Sequence, residues 1–270
     1  SGNFAYFHAN YIPRRDTSFD WTKPVDGSNP ATSYKGVLSV NESPNAINPA
    51  SGWTYNSNNA PWSAAGANSP VKTTYPKYVD AGGENARGLH AIRVLHGKKD
   101  FTRESLLETA WDSYQPGFEP LIPPLVKAWD ALPDTSTLKS KLRDQVGVLR
   151  NWDYRWGVSS IATSLGVFYA DELGRSMRRG RGGRGAASAV DPADLTPVTN
   201  PADTAASSVT DAQRIQVLAR ASDKLAADFG SWATPWGDIN RFQRVKNEIT
   251  PTFDDAQPSI PVKFTSARWG

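Results

Sequence analysis

The sequence has 270 residues, enough for a sizeable buried core, and its ten Trp, nine Tyr and ten Phe can supply much of that core. The formal net charge of +3 is too small to indicate nucleic-acid binding by itself, and we expect none. The absence of cysteine excludes disulfides, thiol catalysis and thiolate metal sites. No apolar run is long enough for a transmembrane helix, so we expect no membrane span.

The first part of the chain, residues 1–86, combines Pro, Gly, Asn and Ser with aromatic residues. Short apolar and aromatic runs at 3–9, 34–40 and 52–57 predict strands, because turn signals such as "DGSNP" and "NPASG" lie between them. We therefore expect strands and ordered loops in this part.

The middle of the chain, residues 87–230, has helical periodicity. A short helix is predicted over 88–96, and a second one begins after Thr102, a typical N-cap. The proline pair 123–124 suits the first turn of a third helix. The residues that the second helix is predicted to turn inward are Leu106, Leu107, Ala110 and Trp111.

Further helices are predicted over 138–149 and 159–173. The clearest helix runs from Thr210 to Phe229: Thr210 and Gln213 form a capping-box pattern, and Gly230 is placed to end it. Its inward positions are predicted to be Ile215, Leu218, Ser222, Leu225 and Phe229.

Two regions complete the organisation. The segment 177–208 is rich in Gly, Ala, Pro and Asp and has few large apolar residues, so we expect a mobile loop near it. Residues 231–270 return to aromatic loops and possible strands. The sequence predicts one α+β domain over 1–270, with a helical block between strand-containing ends.

Several polar clusters suggest chemistry but have simpler structural interpretations. The "RRGRGGRG" stretch at 178–185 is similar to arginine-glycine segments that bind single-stranded RNA, yet it is short and can equally be a solvated loop. Asp254 and Asp255 are adjacent in a loop, which favours a turn over a glycosidase pair. His90 and His96 lie on different faces of one short helix, which argues against a shared metal.

Ser1 could act as a nucleophile. The α-amine of a first residue titrates near pH 8, so a free N-terminal serine carries its own base. The same residue could mark only the point where the sequence was cut, and the sequence does not separate these two interpretations.

The stretch "YNSNNAPW" at 55–62 places three asparagines in an aromatic frame. Carboxamides are costly to bury without partners, so this density suggests that at least one of them binds something. This stretch belongs to an ordered series of motifs, which are "GNFAYFHANYIPRRDTSFDW", "NESPNAINPASGWTYNSNNAPW", "GGENARGLHAIRVL", "ASDKLAADFGSWATPWGDINRFQRV" and "PSIPVKFTSARWG". Through this series the chain resembles the catalytic subunit of the penicillin acylase family. The resemblance covers nearly everything except the segment around 177–208.

The resemblance implies an αββα N-terminal-nucleophile hydrolase that cleaves acyl amides such as penicillins or acyl-homoserine lactones. It implies that Asn58 is the side-chain donor of the oxyanion hole, which stabilises the negative oxygen of the tetrahedral intermediate. It also implies that Arg87 supports the site by orienting the carboxamide or binding a polar end of the substrate. A salt bridge at the helix end is the alternative for Arg87.

The resemblance further implies a structural calcium, with Asp80 and the carbonyl of Trp21 as ligands, no catalytic cofactor, and a periplasmic or secreted location. Because "SGNFAYFH" is similar to an internal strand of the family, we expect an internal fragment without the nucleophile, inactive alone, whose partners are the small subunit and the nucleophile-bearing segment. The competing hypotheses are a self-sufficient Ser1 hydrolase and a non-enzymatic binding module that uses the aromatic loops and the arginine-glycine segment.

Overall fold

The computed structural model describes residues 2–8, 11–180, 209–244 and 252–270. These residues form two compact units, one up to Asp112 and one from Ser113 onward. The architecture is α+β, as predicted, with helices between short strands near the two ends of the chain. The single domain remains a prediction. Among the described residues, no helix combines the length and apolar character needed to cross a membrane.

The first unit contains one small antiparallel sheet and two helices. Strand β1 pairs with β2 so that Tyr6 faces Ala46, and both side chains are buried with Ala64 and Ala65. A second small cluster contains Ile12, Leu38 and Val79. The regular elements are β1 (Ala5–Phe7), β2 (Asn45–Ile47), α1 (Ala86–Leu95) and α2 (Arg103–Ala110), with 3-10 turns at Pro30–Thr32, Pro61–Ser63, Gly66–Asn68 and Lys72–Thr74.

Two of the predicted strands in this unit are wrong. Residues 34–40 contribute only an isolated bridge between Val37 and Pro13, because Gly36 has a left-handed φ of +80° that interrupts the extended backbone. Residues 52–57 form no strand, because Gly52 is also left-handed (φ +79°) and Tyr55 bonds across a loop to the carbonyl of Ala64. β2 lies at residues for which no strand was predicted.

Helix α2 begins at the predicted cap, where Thr102 and Ser105 form a reciprocal capping box. The predicted inward face is wrong, since α2 has no buried residue. Leu106, Leu107 and Trp111 are 48%, 53% and 59% exposed. Periodicity shows that one face of a helix is apolar, but whether another element covers that face depends on long-range packing.

The second unit is built around one continuous hydrophobic core. Within it, the longest helices pack on each other, and Gly166 leaves room for Trp152, whose ring would lie 2.6 Å from an added Cβ. Its elements are α3 (Ile122–Asp130), α4 (Thr137–Lys141), α5 (Arg143–Arg150), α6 (Ile161–Gly180), α7 (Asp211–Phe229), α8 (Trp236–Ile239), β3 (Arg241–Phe242) and β4 (Ile260–Pro261), with a 3-10 turn at Pro116–Phe118.

Local signals predicted both ends of α7. Thr210 and Gln213 form the predicted capping box of α7, and Gly230 ends the helix with φ +82°. The single helix predicted over 138–149 is instead two, because buried Leu142 lies between α4 and α5 with non-helical torsions. In α7 the inward prediction holds except for Phe229, which is 41% exposed.

The predicted loop from 177 overlaps α6, which continues to Gly180. The rest of that segment, residues 181–208, lies outside the described residues, as does Ser1.

Candidate active site

The asparagine-rich stretch forms a closed loop in the first unit. The amide of Tyr55 donates to the carbonyl of Ala64 at 2.9 Å, which joins the two ends of the loop. Pro61 is buried in a 3-10 turn, and the ring of Trp62 packs against Tyr75 with centroids 5.8 Å apart. The aromatic frame noted in the sequence therefore holds the loop.

Asn58 lies at the exposed turn of this loop in a left-handed conformation, with φ +56°. Asparagine tolerates this region better than most residues. Its backbone amide donates to Oδ1 of Asn56 at 3.0 Å, a local turn of the kind that asparagine favours. The backbone thus presents the Asn58 side chain outward from a fixed turn.

Arg87 contacts Asn58 directly: its Nη1 donates to Asn58 Oδ1 at 3.0 Å. A guanidinium can only donate, so this contact determines which end of the carboxamide faces the arginine. The Nδ2 group is then the end of the exposed Asn58 side chain that can donate to another molecule. The two residues predicted to share a site are 29 positions apart in sequence and lie in hydrogen-bond contact.

Asn85 joins the loop to helix α1. Its Oδ1 accepts from the amide of Gly88 at 3.0 Å and caps α1, while its Nδ2 donates to the carbonyl of Ser57 at 2.9 Å. One side chain therefore fixes the residue before Asn58 relative to the helix turn that carries Arg87. The "GGEN" pattern just before a helix could have indicated the cap, but sequence reasoning missed it.

Glu84 forms a second connection, which sequence reasoning also missed. Its Oε2 accepts from Tyr55 Oη at 2.5 Å, from Asn59 Nδ2 at 3.2 Å and from Ser63 Oγ. Its Oε1 accepts from the amide of Asn85 at 2.9 Å. Three polar residues of the asparagine loop thus converge on one carboxylate next to the N-cap of α1.

The two adjacent asparagines have different roles. Asn59 is 9% exposed, its Oδ1 accepts from the amide of Ser57 at 2.9 Å, and its Nδ2 points into the Glu84 cluster. Asn58 is exposed. Of the pair, only Asn58 presents its amide outward, while Asn59 braces the loop.

Tyr55 has a raised pKa for two physical reasons. Burial disfavours the phenolate, and the neighbouring Glu84 carboxylate accepts a hydrogen bond from the hydroxyl group and would repel the negative charge of a phenolate. Tyr55 therefore stays protonated over the physiological pH range and acts as a hydrogen-bond donor to Glu84.

Asp80, one of the two predicted calcium ligands, is engaged in other interactions. Asp80 Oδ1 accepts from the amide of Gly82 at 2.7 Å, and Oδ2 lies 3.5 Å from His8 Nε2. The indole of Trp21 donates to the carbonyl of Asp16 at 2.6 Å. Over the described ranges, no group of three or more His, Cys, Asp or Glu side chains is arranged to hold a metal ion. Calcium binding at Asp80 and Trp21 stays a prediction, and no step of the chemistry is assigned to it.

The other polar residues that suggested chemistry in the sequence take part in an ion pair, a helix cap and a turn. His90 Nε2 lies 2.9 Å from Asp112 Oδ1, and His96 forms the C-cap of α1. Asp254 Oδ1 accepts from the amide of Ala256 at 2.9 Å, which is the turn that the sequence favoured over a carboxylate pair.

A search of the curated proteins gives no match. Among solved structures, the chain is similar to a thermostable penicillin G acylase from Alcaligenes faecalis, with a TM-score of 0.55 and 16% sequence identity. The match covers 95% of this chain and 51% of that one, so the chain spans about half the length of the solved structure. This similarity supports the predicted fold. The sequence model described as penicillin amidase matches residues 1–262, and the chain therefore belongs to the penicillin amidase family.

Proposed function

We propose that this chain supplies the oxyanion-binding side of an amidohydrolase that cleaves a small-molecule acyl amide. The observation that carries the proposal is the 3.0 Å hydrogen bond from Arg87 Nη1 to Asn58 Oδ1. Because Oδ1 is bonded to Arg87, the Nδ2 group of exposed Asn58 is the end of the side chain that can donate to a ligand, as a side-chain oxyanion donor must.

In the proposed reaction, an N-terminal serine outside this chain attacks the amide carbonyl and its α-amine takes the hydroxyl proton. The carbonyl oxygen becomes negative in the tetrahedral intermediate, and Asn58 Nδ2 donates to it. Collapse of the intermediate breaks the C–N bond, and the leaving amine takes the proton. Water then cleaves the acyl-serine ester, which releases the carboxylic acid and restores the serine. Family membership and the half-length match to the solved acylase support this division of labour. We accordingly propose that the chain works with the nucleophile-bearing part of the enzyme and is inactive alone.

Arg87 has two roles in this proposal. It fixes the orientation of the carboxamide through Oδ1, and its permanent positive charge lies one side chain away from the developing negative oxygen. Both effects are in place before the substrate arrives, so little reorganisation is needed as charge develops.

The test uses the complete acylase that contains this chain and a chromogenic acyl amide. Replacement of Asn58 by Ala should lower kcat by about a hundredfold to a thousandfold with a small change in KM, as removal of one oxyanion donor typically does. Asn68→Ala is the matched control, because Asn68 is an exposed asparagine of the same unit outside the loop. A wild-type kcat in Asn58→Ala would refute the proposal.

A further inference from the structure

The loop that carries Asn58 and the helix that carries Arg87 meet at the carboxylate of Glu84. From the loop, Tyr55, Asn59 and Ser63 all donate to Oε2. From the start of α1, the amide of Asn85 donates to Oε1. Each carboxylate oxygen therefore holds one of the two elements whose relative position sets the Asn58–Arg87 contact.

The hydrogen bonds to Glu84 are of the strong kind. Each joins a neutral donor to an ionised acceptor, and such bonds are shorter and stronger than those between neutral groups. The raised pKa of Tyr55, caused by burial and by Glu84, keeps the hydroxyl donor in place. Glu84 is itself half-buried, so bulk water competes only partly for the carboxylate.

The carboxylate of Glu84 lies directly against the first turn of α1. A Cβ at Gly88 would overlap Glu84 Oε1, and it would lie 2.5 Å from Glu84 Cδ and 3.0 Å from Tyr55 Oη. The carboxylate thus occupies the space beside the first turn of α1 that the missing side chain of Gly88 provides. The same turn holds Arg87, one residue before Gly88.

We propose that Glu84 is a positioning residue that preorganises the oxyanion donor by locking the Asn58 loop against the first turn of α1. This inference rests on the proposed function of Asn58. Glu84 touches neither Asn58 nor Arg87 in any described hydrogen bond, and its effect on the reaction is transmitted through the loop and the helix. Since a misplacement of about 1 Å can cost roughly a hundredfold in rate, loosening this lock should lower kcat.

The experiment is a double-mutant cycle in the complete acylase. Glu84→Gln preserves the shape of the side chain, but an amide has one oxygen and cannot accept from both elements at once. We expect Glu84→Gln to lower kcat by roughly tenfold to a hundredfold while KM changes by less than about threefold. On the Asn58→Ala background the same substitution should change kcat by less than about threefold, because the group that Glu84 positions is gone.

A second variant guards against a folding defect in Glu84→Gln. Tyr55→Phe removes a single donor to Glu84 and leaves the carboxylate charged, so it should lower kcat by roughly threefold to tenfold, again only when Asn58 is present. Thermal unfolding of every variant verifies that the protein is folded at the assay temperature.

The outcomes distinguish the two proposals. If Glu84→Gln lowers kcat by the same factor with and without Asn58, Glu84 does not act through the oxyanion donor and the positioning role is refuted. The role is also refuted if folded Glu84→Gln and Tyr55→Phe both keep the wild-type kcat. A wild-type kcat in Asn58→Ala would instead refute the proposed function, and the Glu84 inference with it.

Discussion

Gly88→Ala perturbs the connection between the loop and α1 from the helix side. The added methyl group would overlap Glu84 Oε1, which accepts a hydrogen bond from the amide of Asn85. Its carbon would also lie only 3.0 Å from Tyr55 Oη. Glu84 must then move away from at least one of its two elements. The substitution therefore tests, without altering a polar group, whether this packing stabilises the first unit.

The expected magnitude follows from opposing effects. Loss of one hydrogen bond to a charged group costs about 1.5–3 kcal/mol, and insertion of a methyl group into a packed site typically costs about 1–3 kcal/mol. These two costs overlap, because movement of Glu84 relieves the steric contact at the expense of the hydrogen bond. Alanine favours the helix over glycine by about 1 kcal/mol. The gain in helix propensity offsets part of the lost hydrogen bond, so we expect a net destabilisation of about 0.5–2 kcal/mol.

Hydrogen exchange of the α1 amides, such as that of Leu89, which bonds to the carbonyl of Asn85 at 3.0 Å, measures this loss locally. Gly147→Ala is the matched control, because Gly147 lies inside α5 and an added Cβ meets nothing within 4 Å. That control should keep or raise stability. If Gly88→Ala leaves exchange of α1 unchanged or slower, the packing argument for Glu84 is wrong.

Two further predictions concern stability, one in each unit. Glu42 accepts two hydrogen bonds from Arg14 and further bonds from Ser39. These bonds lower the pKa of Glu42 from the ordinary 4.5 to about 2. The lowered pKa means that its contribution is complete above pH 4.5 and is lost as the pH falls to about 2. Glu42→Gln should destabilise the first unit at neutral pH and flatten its pH dependence in that window, measured by thermal unfolding. In the second unit, Thr210→Ala should destabilise α7 by about 1 kcal/mol, measured by denaturant unfolding, because it removes the capping hydroxyl.

A specific experimental result would contradict each of these predictions. An unchanged slope of stability between pH 4.5 and 2 in Glu42→Gln would show that the pair with Arg14 does not contribute. Thr210→Ser keeps the hydroxyl and should retain most of the stability, so a loss as large as that of Thr210→Ala would show that the cap is not the cause.

The sequence by itself determined those features that depend on neighbours within about one helical turn. The caps at Thr102 and Thr210 and the left-handed end at Gly230 were predicted correctly, because the donors and acceptors concerned lie three or four residues apart. The ordered succession of motifs over the chain also indicated the family, since many residues contributed to it.

Predictions that needed distant partners succeeded less well. The apolar face of α2 was recognised, but Leu106, Leu107 and Trp111 are exposed, because periodicity carries no information on what packs against a helix. The strands predicted at 34–40 and 52–57 were wrong, because left-handed Gly36 and Gly52 interrupt the extended backbone: the first run forms one isolated bridge with Pro13, and the second bonds across a loop to Ala64.

The candidate site shows the same division. Family resemblance selected Asn58 and Arg87 from the sequence. Their contact joins two residues 29 positions apart and is a property of the tertiary structure. The role of Glu84 was invisible, because an isolated glutamate before a helix carries no signal of the three side chains that converge on it. Local hydrogen bonds are encoded in short patterns of residues, whereas the convergence of polar groups on a single carboxylate requires the chain to bring distant segments together.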